Sequence, residues 1–393
     1  MKKIFLILLI CLILVGCNNI KDGVSKKDKK EKKESTRLNI PSDYNDNGIF
    51  EEYYEKAYKK LKSMKVEEKV GQMLLVRMSS EATSMINDYN VAGFIMFAND
   101  FKDKTKEDIK REINQYQKLS KIPLLFAVDE EGGSVVRISK YKNFREYPFS
   151  SPQDIYKQNG MNGIIEDTKE KSILLNSLGI NINLAPVSDV AENNDDFIYD
   201  RSFGVDASLT AEYVKNVVKT YNENKMGSCL KHFPGYGNNV DTHTGIAIDK
   251  REYSNFENND FIPFIEGIKE GVPSILVSHN IVESMDSVPA SLSLNVHNIL
   301  REKLKFTGVI MTDDLDMDAI KKYVSNPNVE AVKSGNNLLL TTDYKTSYND
   351  IINAYNNKEI SLEMIDKAVF KVLAWKYSMG VLNDWYRIFK KVL

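Results

Sequence analysis

Cysteine is nearly missing from this chain: Cys11, Cys17 and Cys229 are all that its 393 residues contain. The first two lie in or beside a leading apolar run, so Cys229 stands alone in the body of the chain. No intramolecular disulfide is expected. Cys229 sits within an apolar stretch and reads as a buried core thiol, not a reactive one. Histidine is almost as scarce, with 4 residues. An excess of charge of either sign is also absent, since 53 basic and 55 acidic side chains leave a net charge of -2. No global basic field therefore draws the chain to nucleic acid. There is no Gly-x-Gly-x-x-Gly run, no P-loop and no internal repeat, which removes the usual sequence grounds for dinucleotide or nucleotide chemistry. His-x-His and His-Glu-x-x-His spacings are absent as well, so no metal and no cofactor is expected.

Long apolar runs are confined to the start. Met1-Lys2-Lys3 is a short basic segment, and Ile4 to Val15 is continuously apolar but too short to span a bilayer comfortably. The run ends at Leu14-Val15-Gly16-Cys17, which resembles a bacterial lipobox. Residues 1–17 then form a lipoprotein signal peptide, and Cys17 is lipidated as the mature N-terminus. The expected location is the extracytoplasmic face of the cell membrane, with the membrane as partner through the lipid. Lys21 to Arg37 is a Lys/Glu/Ser tract almost without apolar side chains. Residues 18–44 therefore read as a disordered charged linker, and 45–393 as the folded part.

The folded part has ordinary globular composition, 42% hydrophobic and 27% charged over the chain. Short apolar runs alternate with amphipathic segments. Strands are expected near Gln72–Arg77, Val91–Phe97, Pro123–Asp129, Asn181–Val190, Ser228–Phe233, Ser274–Ser278, Gly308–Thr312 and Asn337–Thr342. Helices are expected over Lys106–Leu119, Met161–Leu178 with Gly179 as C-cap, Leu209–Asn224, Ser291–Leu304 and within Ile360–Gly380. Eight strands alternating with helices predict an α/β fold, a single (β/α)8 barrel. Alternation alone also permits a doubly wound open sheet. The count of eight favours the barrel, as do the polar residues just after the strands: Asp129, Asp189, Lys231 with His232, His279 and Asp313.

Three clusters carry chemistry. Lys231-His232-Phe233-Pro234-Gly235 opens a Gly- and Asn-rich loop that continues to Asp241-Thr242-His243. Asp241 lies two residues before His243, which lets its carboxylate orient the imidazole for general acid–base work. Thr312-Asp313-Asp314-Leu315-Asp316 follows an apolar strand. Asp313 suits a nucleophile there, whereas Asp314 or Asp316 could cap the next helix. Asp129-Glu130-Glu131-Gly132-Gly133, with Arg137, also starts directly after a strand. Asp129 can accept hydrogen bonds from vicinal hydroxyls, and Arg137 offers a planar donor fork. Arg201-Ser202-Phe203-Gly204 is a similar loop with one arginine.

Together with Asn183-Leu184-Ala185-Pro186-Val187-Ser188-Asp189-Val190, these clusters resemble the catalytic barrel of glycoside hydrolase family 3. Within it the resemblance is to bacterial β-N-acetylglucosaminidases (β-hexosaminidases), and it covers roughly Tyr53 to Leu382. The resemblance implies retaining, exo-acting removal of non-reducing N-acetylglucosamine, with peptidoglycan fragments as the expected amino-sugar partner. It implies that Asp313 is the nucleophile and that His243, oriented by Asp241, is the general acid and then the base. Asp129, Arg137, Arg201, Lys231 and His232 match positions that hold the sugar. Tyr236 departs from the pattern, since many relatives have a second histidine there, and it could alter the leaving-group subsite. Too few residues follow the barrel for the sandwich domain of many family 3 β-glucosidases, which points to the aminosugar branch. A β-glucosidase, a phosphorylase and an inactive wall-sugar-binding lipoprotein are the other readings.

Overall fold

Residues 40–383 are described by a computed structural model, apart from 240–244, 246, 318, 319, 321 and 322. Eight short apolar runs form strands β1 (Leu74–Arg77), β2 (Gly93–Met96), β3 (Leu125–Val128), β4 (Ile182–Asn183), β5 (Gly227–Phe233), β6 (Ser274–Val277), β7 (Val309–Thr312) and β8 (Leu339–Thr341). Almost every strand residue is buried, as befits strands covered on both faces.

Each strand pairs in parallel with the next in the chain, and β8 pairs with β1 through Leu74↔Leu339 and Leu75↔Leu340. Sequence order around the sheet with last beside first is the pattern of a barrel, not of a doubly wound sheet, in which the order reverses. Closure between β7 and β8 is looser. It consists of a bridge at Met311↔Leu338, with Thr312 N–H donating to Leu338 O (3.2 Å) and Leu338 N–H to Ile310 O (3.2 Å). The architecture is thus the expected eight-stranded parallel barrel, nearly closed.

β4 is much shorter than the expected Asn181–Val190. Pro186 has no N–H to give the ladder, and beyond Asn183 the chain keeps only isolated contacts with β5, such as Ser188 N–H to Lys231 O (2.6 Å).

The outer helices include α1 (Tyr54–Lys62), α2 (Lys106–Leu119), α3 (Pro152–Leu178), α4 (Ala207–Glu223), α5 (Phe261–Lys269), α6 (Leu294–Asn298), α7 (Pro327–Ser334), α8 (Tyr344–Asn356) and α9 (Leu362–Ser378). α3 starts nine residues before the expected Met161. Gly160, at φ 60° and ψ -159°, breaks it just ahead of that residue, and Gly179 ends it at φ 89°. The expected helix Ser291–Leu304 is instead α6 followed by a π-helical turn, Ile299–Lys303. The ordered packing also begins ahead of residue 45, because Tyr44 stacks edge-on against Tyr58 and Phe370.

Cys229 is buried inside the barrel, and burial pushes its thiol up to about 12, which keeps it inert as expected of a core thiol. Near the N-terminal ends of the strands, fully buried Lys376 donates to Gln72 Oε1 (2.6 Å), Ala92 O (2.8 Å) and Pro123 O (2.7 Å). It thereby ties α9 to the chain entering β1, β2 and β3. The opposite end, where the strands finish, is where the polar residues converge.

Candidate active site

The loop after β3 is shaped from within by Glu130. Its buried carboxylate accepts the N–H groups of Arg137 (2.8 Å), Ile138 (2.8 Å) and Ser139 (3.2 Å), and also the Ser139 hydroxyl. Asn183, at the end of β4, ties down the Glu130 backbone from both sides, accepting its N–H (2.9 Å) and donating to its carbonyl (3.0 Å). Gly132 is required here because a Cβ would lie 2.2 Å from Ser150 O, in a backbone already at φ 107°. The close approach is thus to the protein's own chain. Glu130 is spent on structure, and its neighbours Asp129 and Glu131 face outward to the next strands.

Those two carboxylates meet Lys231 from β5. Its ammonium lies 2.7 Å from Asp129 Oδ1 and 2.6 Å from Glu131 Oε1, with the Lys231 and Glu131 side chains each 3% exposed. Arg201 clasps Glu131 from the other side through Nε (3.0 Å) and Nη2 (2.8 Å). Burial opposes ionisation of Glu131, but Lys231 and Arg201 outweigh it and hold the carboxyl well below its ordinary range. Burial likewise opposes the Lys231 ammonium, and Asp129 and Glu131 overcome it, so the group titrates above an ordinary lysine. The pair stays ionised because each charge is answered within hydrogen-bond distance.

Arg137 is less committed. It reaches Asp129 Oδ2 at 3.4 Å, and its buried Nε has no hydrogen-bond partner. That leaves donor capacity for a ligand. His232 completes the group. Its Nδ1 and its own N–H both point at Asp189 Oδ2 (2.8 and 3.0 Å), and Nε2 turns toward Arg201 Nη2 at 3.4 Å. The carboxylate acceptor places the ring hydrogen on Nδ1. Asp129, Arg137, Arg201, Lys231 and His232, drawn from three separate stretches of the chain, are joined through Glu131 into one connected network.

Asp313 stands half-buried at the end of β7. Its N–H donates to Val277 O at the end of β6 (3.1 Å), and Oδ1 accepts the N–H of Asp314 (2.9 Å). The other two aspartates have separate tasks. Asp314 accepts the N–H of Asp316 (3.0 Å) and the hydroxyl of Thr342 (2.9 Å). Burial pushes its carboxyl above the ordinary range despite those bonds. Asp316 staples the loop to the end of β8, accepting from Thr341 Oγ1 (2.9 Å) and the N–H groups of Thr342 (2.6 Å) and Asp343 (2.7 Å). His279 donates from Nε2 to the Asp314 carbonyl (3.0 Å) while Ser291 Oγ lies at its Nδ1 (2.7 Å). Two aspartates and a histidine thus hold the turn that presents Asp313.

Tyr236, the departure from the pattern, is buried. It is 1% exposed, among Val187, Ala191 and Ile198, and its ring meets His232 edge-on with centroids 5.1 Å apart. It buttresses His232 from behind. Asp241 and His243 lie outside the described residues, as does Cys17.

Glu131 and Asp189 are the site residues that sequence reasoning did not assign. Glu131 sat beside the more obvious Asp129. Asp189 showed only as a polar residue after a strand, and nothing local tells that it holds His232, 43 positions away. Position in the segment that follows a buried strand was the available signal for both.

Known proteins resemble this chain in sequence and fold. The family described as Glycosyl hydrolase family 3 N terminal domain matches residues 65–375. Beta-hexosaminidase A of Pseudoalteromonas piscicida is 31% identical over 284 residues, which are 66% of this chain and 47% of that protein. A beta-hexosaminidase of Xylella fastidiosa is 29% identical over 250 residues, 62% of this chain and 73% of its own. The chain thus spans less than half of the first relative and about three quarters of the second. A glycoside hydrolase family 3 beta-N-acetylglucosaminidase from Paenibacillus sp. str. FPU-7 superposes with a TM-score of 0.76 at 27% identity, covering 81% of this chain and 63% of that one. By a match over most of its length, this chain belongs to glycosyl hydrolase family 3.

Proposed function

We propose that the protein is a retaining exo-β-N-acetylglucosaminidase that releases terminal non-reducing N-acetylglucosamine, with peptidoglycan fragments as its substrates. The observation that carries this reading is the buried network of Asp129, Lys231, Glu131, Arg201 and His232 on the barrel face where Asp313 emerges. A fixed set of alternating donors and acceptors suits the vicinal hydroxyls of one sugar ring, and Arg137 retains a donor for it.

In the first step a carboxylate oxygen of Asp313 attacks the anomeric carbon. The bond to the leaving oxygen breaks, and His243 gives that oxygen its proton. In the second step His243 takes a proton from water, the water oxygen attacks the same carbon, and the Asp313 carboxylate departs. Two inversions give retention. A protonated histidine beside the anionic nucleophile avoids the like-charge repulsion of a second carboxylate, and the neutral imidazole left after the first step can take the proton of water.

Export by the 1–17 signal and attachment through Cys17 and the 18–44 linker, with 45–393 as the barrel, belong to the same reading, since a lipid tether outside the membrane holds the enzyme beside the wall. Replacing Cys17 with serine should move the protein from the membrane to the soluble fraction, and unchanged membrane association would exclude the lipid anchor. An aryl β-N-acetylglucosaminide should be cleaved to the β-anomer first, as followed by proton NMR. Initial release of the α-anomer would rule out the two-step route. Faster cleavage of the aryl glucoside, or a sugar phosphate product when phosphate is added, would favour the glucosidase or phosphorylase alternative.

A further inference from the structure

Arg251 follows the two-residue strand Ile248–Asp249, on the chain's return from the stretch that contains Asp241 and His243. Its guanidinium is fully engaged. Nε lies 3.1 and 3.0 Å from the two oxygens of Asp249, and Nη2 lies 2.7 Å from Asp249 Oδ2. Nη1 lies 3.1 and 3.0 Å from the oxygens of Asp260, the residue that precedes α5. Nη2 also donates to the carbonyl of Gly235 at 3.2 Å, and the plane stacks 4.2 Å over the Phe256 ring. Both carboxylates are buried, Asp249 at 2% and Asp260 at 0% exposure.

This cluster joins the two limbs of one segment. On the outgoing limb, Gly235 is held by Arg251, and Asn239 donates to Asp249 Oδ2 (2.6 Å) and to Tyr236 O (2.8 Å). On the returning limb stand Asp249 and Arg251 themselves. The packing leaves no slack, since a Cβ on Gly237 would fall 2.5 Å from Arg251 Cζ and one on Gly235 2.2 Å from Asp260 Oδ1. The tie continues inward to the sugar network, because Asp189 accepts the N–H of Tyr236 (2.8 Å) with the carboxylate that also holds His232.

We propose that Arg251 is a positioning residue for proton transfer: by binding Gly235, Asp249 and Asp260 at once, it fixes the chain points that bracket Asp241 and His243. The proposal rests on the assignment of His243 as acid and base. A surface arginine does not need two buried carboxylates and a backbone carbonyl. An arginine that sets the separation of two limbs does, because its planar fork defines direction as well as distance. Displacement of a proton donor by about 1 Å costs on the order of 100-fold in rate.

The test compares Arg251→Met, Gly237→Ala and His243→Ala in the full chain. Gly237→Ala keeps every charge but crowds the guanidinium and strains a backbone at φ 52°. Each variant is assayed for kcat/KM, which reports the first bond cleavage, on an activated aryl β-N-acetylglucosaminide and on a β-1,4-linked N-acetylglucosamine disaccharide. For Arg251→Met, the disaccharide value should fall about 100-fold and the aryl value less than about tenfold. The inhibition constant of free N-acetylglucosamine should hold within about twofold, because the sugar network is untouched, whereas general loss of structure would weaken it too. Gly237→Ala should change in the same sense but less, and it decides alone if Arg251→Met does not fold. Equal losses on both substrates, in variants that fold, would overturn the role of Arg251 provided that His243→Ala discriminates between them. If His243→Ala itself fails to discriminate, the acid–base assignment falls, and this proposal falls with it.

Discussion

Asp313→Ala is expected to lower kcat on an aryl β-N-acetylglucosaminide by about 10⁴-fold or more, which is a barrier increase of about 5 kcal/mol. In the proposed mechanism the substitution removes the carboxylate that forms the covalent intermediate, and neither neighbouring aspartate is placed to replace it. Asp314 is occupied by Thr342 and the Asp316 backbone, and Asp316 by three donors around the end of β8. Both lie in the turn but are committed to its shape. Affinity for free N-acetylglucosamine, measured by calorimetry, should change little, because the network around Lys231 does not include the Asp313 side chain. Steady-state turnover within tenfold of the parent would remove Asp313 from the role of nucleophile.

Lys231→Ala should act on binding and stability together. The lysine answers two buried carboxylates at once. Removing one partner of a buried ion pair costs about 3–5 kcal/mol, mostly through the charge left behind. Glu131 retains Arg201 and Asp129 retains Arg137 at longer range, so the lower end, about 3 kcal/mol, is expected in urea unfolding at pH 7. kcat/KM should fall by about 100-fold through KM, as the proposed hydroxyl-binding group is lost and its neighbours shift.

The pH dependence of that stability loss follows from Glu131. Its folded-state pKa is depressed, so its contribution is complete above the ordinary glutamate value of 4.5 and is lost as the pH falls below it. The difference between the parent and Lys231→Ala should therefore shrink in acid. A difference of the same size at pH 3 and pH 7 would show that the lysine is not paired as described.

Much of this was legible along the chain, and the reason is local. Strands buried on both faces are dominated by apolar residues, so Leu125–Val128 and residues 309–311 and 338–340 show as unbroken apolar runs. The residue directly after each run lies at one rim of the barrel, so a charge there is noticeable, as with Asp129 and Asp313. The C-cap at Gly179 was legible because an end glycine with positive φ is a property of a single residue. The early start of α3 was not. Gly160 interrupts a helical pattern without ending it, and that depends on what packs on either side.

The division of labour among neighbouring carboxylates was hidden for a different reason. Asp129, Glu130 and Glu131 are adjacent and chemically alike. One organises its own loop and two face Lys231, which is 102 positions from Asp129. Arg201 meets Glu131 across 70 positions. The same holds for Asp313, Asp314 and Asp316, and for Arg251, whose partners Gly235, Asp249 and Asp260 carry no shared motif.

Period and composition act over a few residues, so the order of the primary sequence suffices to set eight buried strands, one polar rim and the candidates upon it. Charge pairing is decided over about 3 Å between residues far apart in the chain. Only closure of the barrel, with β8 beside β1 and β4 cut short at Pro186, brings β3, β5 and the loop of Arg201 within that distance. That closure decides which carboxylate is spent on shape and which is left to meet Lys231.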